Sequence, residues 1–231
     1  MGIVHSCQGK RCAGRDKICT LARRGVFGYN RKSSERGVRR VIVMDLEWNR
    51  SYDKKKLDEI LQIGAVRTDG PGGRITDSFC VFIRPRVHKR FDPGARKLPD
   101  LQCAAESDET FASAWKAFCD WCGNDRTFAF WGPDDFGVIR QNCAYWGVSA
   151  FEPEKVYNYQ RAFSHACGAS SVAALWRAVD YLGIPDIFDY HNALYDAMYT
   201  ALVGAWLRQE DLEYEPPRRV KVRRKRRRFH A

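Results

Sequence analysis

Two carboxylates, Asp45 and Glu47, stand two residues apart where the apolar run Val41-Ile42-Val43-Met44 gives out. A short β-branched run of this kind reads as a buried strand, and residues two apart on a strand share a face. The two acids are therefore neighbours at the strand's end, where like charges raise each other's pKa unless a cation lies between them. A hard divalent ion with oxygen ligands suits that position; an acidic strand end with no such role shows the same pattern. Asp134 and Asp135 follow Gly132-Pro133, directly after the stretch 127–131. That is the carboxyl end of a further strand, where open α/β sheets keep their ligands. Both acids also suit the start of the helix that follows, and capping is compatible with metal work. His191 precedes Asp196 by four intervening residues at the front of the last helix. Carboxylates in such numbers can hold two divalent ions about 4 Å apart. One ion lowers the pKa of an attacking water and the other stabilises the leaving oxygen of an in-line displacement at phosphorus. A histidine of ordinary pKa, about 6.5, takes the water's proton.

The elements that must carry these residues follow from periodicity. Residues 60–66 predict a second strand and 75–83 a third, with Phe79, Val81 and Ile83 on one side and Pro85 as its stop. Short turns join the three, which predicts an antiparallel meander. Residues 127–131 predict a fourth strand and 156–159 a short fifth. Helical spacing places Phe111, Ala114, Trp115, Phe118 and Cys122 on one stripe, with Ser107 as N-cap. Further helices are predicted over 136–146, 160–166, 171–182 and 192–207. The third of these turns Val172, Leu175, Val179 and Leu182 inward and stops at Gly183; the last offers Met198, Leu202, Ala205 and Trp206 for packing. Residues 51–58 read as a charged loop, and 84–106 as a long loop or short helices near the mouth of the site.

The 231 residues suit one domain with extensions. No apolar run reaches a membrane span, and the polar residues 1–20 are unlike a signal peptide. With nine cysteines and no export signal, reduced thiols and an intracellular protein are expected, cytoplasmic or, in a eukaryotic host, nuclear. His5, Cys7, Cys12 and Cys19 match no paired zinc spacing, and Cys119-x-x-Cys122 lies mid-helix, where packing explains it. The net charge of +11 is unevenly spread. Residues 1–40 hold 11 Lys/Arg against 2 Asp/Glu, and 218–231 hold nine Lys/Arg and no acid, while 41–217 are net acidic. The expected organisation is a flexible basic leader (1–40), a folded domain (41–212) and a basic tail (213–231). The arms, and not the core, would attract a polyanion.

Asp45-Leu46-Glu47, Trp131-Gly132-Pro133-Asp134-Asp135 and His191-Asn192-Ala193-Leu194-Tyr195-Asp196-Ala197 resemble, in order and spacing, the three motifs of the DEDDh 3′→5′ exonuclease superfamily. The likeness runs from about residue 41 to 208 and includes Glu59-Ile60-Leu61-Gln62-Ile63-Gly64-Ala65-Val66. Asp-Leu-Glu-Trp-Asn and Phe-Trp-Gly look most like the small KapD-type and enhanced-RNAi-type exonucleases. The resemblance implies an RNase H-like α/β fold: a mixed five-stranded sheet, its first three strands antiparallel, flanked by helices. It implies two Mg²⁺ or Mn²⁺ ions, with Asp45 contacting both, Glu47 and Asp196 holding the first and Asp135 serving the second. Asp135 is preferred to Asp134 because Gly132-x-x-Asp135 matches the family register. His191 would be the general base. The implied activity releases nucleoside 5′-monophosphates from 3′ ends of single-stranded nucleic acid, RNA slightly ahead of DNA, with no membrane partner. The alternative is a nucleic-acid-binding adapter that keeps the fold without the chemistry. Trp48 and Asn49 stand where the family often has Thr or Ser near the terminal nucleotide, so Trp48 either stacks on a base or packs. Arg218, Arg219, Lys221, Arg223, Arg224, Lys225, Arg226, Arg227 and Arg228 are expected to tether nucleic acid.

Overall fold

The first strand, β1 (Val41–Asn49), is the middle of a five-stranded sheet in the order β3-β2-β1-β4-β5. The computed structural model describes residues 40–51, 57–133 and 135–212. β2 (Glu59–Thr68) pairs antiparallel with β1, and β3 (Ile75–Phe82) antiparallel with β2. β4 (Thr127–Phe130) and β5 (Lys155–Asn158) add parallel on the other side. This is the mixed, RNase H-like sheet that the motifs imply.

Helices cover both faces, which is why β1 begins as an unbroken apolar run. Ile42, Met44 and Leu46 join the core under α2 (Phe111–Cys122) and α3 (Phe136–Trp146), with Trp115, Phe118, Phe136 and Ile139. Val41 and Val43 join the core under α4 (Tyr159–Ala166), α5 (Leu175–Tyr181) and α6 (Ala193–Trp206), with Phe163, Val179, Met198 and Tyr199. A short helix α1 (Leu101–Glu106), preceded by a 3-10 turn at Ala95–Lys97, closes a third cluster over Leu61 and Phe82. A last turn, α7 (Gln209–Leu212), follows α6. Cys119 and Cys122 are free thiols of α2 packed in or against the core, as expected of a mid-helix pair.

α6 lies on the sheet at glycines. A Cβ at Gly64 would fall 2.1 Å from the backbone of Ala193 and Leu194, so the start of α6 rests directly on β2. Near its other end, a Cβ at Gly204 would meet the Tyr159 ring, and one at Gly72 would fall 2.6 Å from the Gly204 carbonyl.

Three expectations are corrected. Ser107 does not cap α2: its hydroxyl donates to Phe82 O (2.7 Å), and Thr110 with Ser113 forms a capping box three residues later. The helix predicted over 171–182 is only Leu175–Tyr181, and Val172 is 56% exposed. The chain at Ala173 is instead bonded to α4, its N–H donating to Ser164 Oγ and its carbonyl accepting from Gln160 Nε2. Trp206, expected to pack, does so on one side only: its ring lies 5.7 Å from that of Phe163, while 46% of the residue is exposed and Leu207 is the buried neighbour. The leader, residues 52–56, Asp134 and the basic tail lie outside the described residues.

Gly64→Ala should destabilise the protein by about 3 kcal/mol or more in urea unfolding, because two backbones would have to part. A change within about 0.5 kcal/mol would show that the strand–helix contact is slack.

Candidate active site

β1 alternates, so Asp45 and Glu47 leave the sheet on the face that carries Val41 and Val43, under α6. Asp45 pairs in register with Gly64, the residue on which α6 rests. The first turn of α6 thus lies over the two acids, and Asp196 is in that turn.

The turn before α6 is fixed by side-chain bonds. Asn192 is the N-cap, its Oδ1 accepting from the N–H groups of Leu194 (3.0 Å) and Tyr195 (3.3 Å). Gln62, buried on β2, donates its amide to Asn192 Oδ1 (3.2 Å) and accepts from the Ala193 N–H (3.1 Å). Asn192 Nδ2 donates to Asp100 Oδ2 (2.5 Å) just before α1. His191 takes a left-handed backbone, φ 63°, and its N–H donates to Asp196 Oδ2 (3.0 Å). The other oxygen, Asp196 Oδ1, is buried without a protein partner. Ligand atoms of Glu47, His191 and Asp196 all lie within 4.8 Å of one another, and the imidazole residue is exposed at the rim.

Asp135 arrives from the opposite side, at the N-cap position of α3, where its side chain makes no capping hydrogen bond. Gly132, at φ 107°, turns the chain between β4 and α3 in a conformation that favours glycine. Asn158 Nδ2 holds its carbonyl (2.5 Å). Asp135 is near enough to act on β1. Burial, then the charges of Asp135, Asp196 and Glu47, push the Asp45 carboxyl well above its ordinary range. Burial, then Asp196 and Asp135, push Glu47 up to about 8. Burial raises Asp196 to about 7, against the lowering effect of the His191 N–H.

Four acids from β1, the β4–α3 turn and α6 thus share one field with no cation of the protein among its causes. The partnerless Asp196 Oδ1 and this all-oxygen set with one imidazole fit hard divalent ions.

Asp45, Glu47, Asp135, His191 and Asp196 thus lie close to one another. Trp48 packs against the core under α2 and α3, beyond a register shift between Glu47 and Trp48. Asn49, expected near the nucleic acid, is fully buried; its amide donates to Arg90 O (3.0 Å) and accepts from the Asp92 N–H (2.8 Å). Its side chain is occupied in holding the 90–92 loop, which leaves it nothing to offer a substrate. The basic residues from Arg218 to Arg228 lie outside the described residues. Motif and spacing do not single out Gln62, Asn192 or Asp100, although a glutamine inside an apolar strand is itself a signal of a buried polar contact.

Beside Glu47 and His191 opens a narrow slot of about 10 Å³, floored by Leu61, Gln62 and Phe82 and covered by Leu98, Asp100, Leu101 and Ala104.

The chain belongs to the RNase_T family of exonucleases, whose family model matches residues 42–203. Among solved structures it is similar to the nuclease domain of 3′hExo, a DEDDh family member bound to rAMP, with TM-score 0.64 and 16% identity over 79% of this chain and 98% of that one. It is similar to cell-death related nuclease 4 (CRN-4), with TM-score 0.59 and 17% identity over 72% of this chain, spanning 62% of the other. It is also similar to S. pombe Pop2p in a Mg²⁺- and Mn²⁺-bound form, with TM-score 0.56 and 16% identity over 87% and 92%. At these identities the likeness is one of fold. No curated protein sequence matches. The membership agrees with the DEDDh exonuclease superfamily that the motifs resemble, and the protein is a nuclease. No helix among the described residues is long and apolar enough to cross a membrane.

The raised carboxyl pKa values have a definite sign in stability. The folded state holds protons that the unfolded chain releases near its ordinary carboxyl pKa, so stability falls as pH rises from about 4 through 7–8. In EDTA the melting temperature should fall over that window. Mg²⁺ should restore it by about 5 °C or more at pH 8 and by far less at pH 5. A Mg²⁺ shift of equal size at both pH values would contradict this account of the site.

Proposed function

We propose that the protein is a metal-dependent 3′→5′ exonuclease of the DEDDh type that removes nucleoside 5′-monophosphates from single-stranded 3′ ends, RNA ahead of DNA. The observation that carries the reading is the convergence of Asp45, Glu47, Asp135 and Asp196 beside an exposed imidazole, with Asp196 Oδ1 left for a ligand the protein does not supply. The rAMP bound to 3′hExo supports the preference for RNA.

In this reading Asp45, Glu47 and Asp196 would hold one divalent ion, and Asp45 with Asp135 would serve a second. When bound, the ions supply a water of lowered pKa and neutralise charge on the phosphoryl and leaving oxygens. His191 accepts the water's proton as its oxygen bonds to phosphorus. The bond from phosphorus to the O3′ of the preceding nucleotide breaks, its electron pair goes to O3′, and a proton from solvent makes it the 3′-hydroxyl of the shortened strand. The left-handed turn and the bond from the His191 N–H to Asp196 fix the base relative to a ligand carboxylate. The slot takes the departing nucleoside.

The folded nuclease domain spans residues 41–212 and the basic tail acts as an electrostatic tether for the substrate, in the cytoplasm or, in a eukaryotic host, the nucleus. Its charge, nine Lys/Arg in residues 218–231 beside a net-acidic 41–217, is the support for this role.

With 5′-labelled single-stranded RNA and DNA, Mg²⁺ should yield a ladder shrinking from the 3′ end, faster on RNA, and EDTA should abolish it. His191→Ala should slow the first cleavage about 10²–10⁴-fold, and Asp45→Asn should leave no measurable cleavage, both with unchanged circular dichroism. Tight binding by a folded wild-type protein with no ladder on either substrate would favour the adapter. Deleting residues 218–231 should weaken binding at low salt and flatten the slope of log K against log[salt], leaving the saturated rate intact. An unchanged slope would remove the tail from the binding site.

A further inference from the structure

Asp100 lines the slot beside the catalytic residues, and its side chain does something unusual for its position. It is the N-cap residue of α1, a place where an aspartate ordinarily accepts from the helix's first N–H groups. Here the side chain makes no capping bond. The backbone carbonyl takes the N–H groups of Cys103 (2.9 Å) and Ala104 (3.4 Å), and the carboxylate turns to Asn192, whose Nδ2 it accepts at Oδ2. That bond anchors it one residue from His191.

Among the described residues the carboxylate has no cation. None of the ion pairs there includes Asp100, and it is not in the group of Glu47, His191 and Asp196 that could share a metal. An uncompensated negative charge in a slot that must admit the end of a polyanion opposes binding, unless the incoming group donates a hydrogen bond to it. A carboxylate has about four acceptor positions on its two oxygens, and Asn192 uses one. The rest are available for a hydroxyl or an N–H.

The slot is lined by residues of two kinds. Glu47, Gln62, Asp100 and His191 are its polar lining and Leu61, Phe82, Leu98, Leu101 and Ala104 its apolar lining, with Asp100 tied to the residue beside His191. The reacting phosphate must lie at Glu47 and His191. The sugar is the next part of the nucleotide along the chain of bonds, and the base lies beyond it. Asp100, tied to the neighbour of His191, therefore meets the sugar, and the leucines meet the base. A nucleoside is larger than this slot of about 10 Å³, so side chains of its lining must shift to admit one. The bond to Asn192 ties Asp100 to the turn that carries His191.

We propose that Asp100 accepts a hydrogen bond from the 2′-hydroxyl of the 3′-terminal ribose and is the residue that makes this site select RNA over DNA. The inference rests on the nuclease reading above and deepens it. A hydrogen bond from a neutral hydroxyl to a charged acceptor separates ribose from deoxyribose by about tenfold or more.

The test uses the full chain and 5′-labelled RNA oligomers that are identical except for the last nucleotide: ribose, 2′-deoxyribose or 3′-deoxyribose. The single-turnover rate of the first cleavage in Mg²⁺ is measured, and affinity in Ca²⁺ by fluorescence anisotropy. The wild type should prefer the ribose end to the 2′-deoxy end by about tenfold or more, and Asp100→Ala should bring that ratio within about threefold. Asn192→Ala, which removes the anchor but keeps the carboxylate, should slow both ends and lower the ratio part of the way. Should Asp100→Ala fail to fold, Asp100→Asn carries the test and should cut the ratio at least about threefold. Three results overturn the proposal: a wild-type ratio near one, a substitution at Asp100 that slows both ends alike, or a penalty that follows the 3′-deoxy end instead. If no end is cleaved, the nuclease reading fails separately, and equal affinity for ribose and 2′-deoxyribose ends would then reject the role of Asp100 as well.

Discussion

A close contact between backbones joins a strand residue that lacks a side chain to a helix that begins on top of it. At Gly64 there is no Cβ, and the backbone of Ala193 and Leu194 occupies the space where one would be. Gly64 is also the register partner of Asp45. One missing methyl group therefore sets the height of α6 above β1 and, with it, the distance between acids that are about 150 residues apart in the chain. Gln62, two residues along the same strand, fixes the helix's rotation by bonding both to the Asn192 cap and to the Ala193 N–H. Height comes from sterics and rotation from hydrogen bonds, and both are properties of β2, which carries none of the chemistry.

The centre that results is electrostatically unfavourable on its own. Asp45, Glu47 and Asp196 are each pushed toward their neutral forms by burial, and neighbouring acids add to the effect on the two β1 residues. A buried acid on the neighbouring strand is treated differently. Glu59, almost fully buried, accepts from three successive backbone N–H groups at residues 86, 87 and 88. The contrast between a satisfied Glu59 and a crowded Glu47 on adjacent strands marks Glu47, and not Glu59, as the candidate for function. The rigid part of the fold, with apolar cores on both faces of the sheet, is what tolerates the conflict in the middle.

Much of this architecture is legible in the amino-acid sequence alone. The period of two in Asp45-Leu46-Glu47 places both acids on one face once the strand is recognised, and four apolar residues in a row mark that strand. The sheet's first three strands and the helix at 136–146 follow from equally local patterns. Ends and partners are less legible. The segment 171–174 has helix-compatible residues, yet Ser164 and Gln160 supply it with hydrogen bonds from another element, and no local pattern announces that. Ser107 has the chemistry of a cap, while Thr110 and Ser113 satisfy each other as well as the helix. Asn49 has the same strand parity as Glu47, but the loop at residues 90–92 takes its amide, and no local pattern announces that contact. Asp100 is one acid among prolines and arginines in a segment with no periodicity, and only the long-range bond to Asn192 distinguishes it.

His191 holds a backbone angle that its own side chain disfavours. A β-carbon at φ 63° costs about 1 kcal/mol or more relative to glycine. Asparagine tolerates the same geometry better than histidine does. By the logic of the backbone alone, then, the turn into α6 is a place for glycine, and a chain selected only for persistence would be expected to drift there. Retaining an imidazole at such a corner separates two demands that usually coincide, endurance of the fold and competence of the site. A glycine there would relax the corner and remove the imidazole. The corner thus offers a way to dissect this protein in which inactivity need not be confused with collapse.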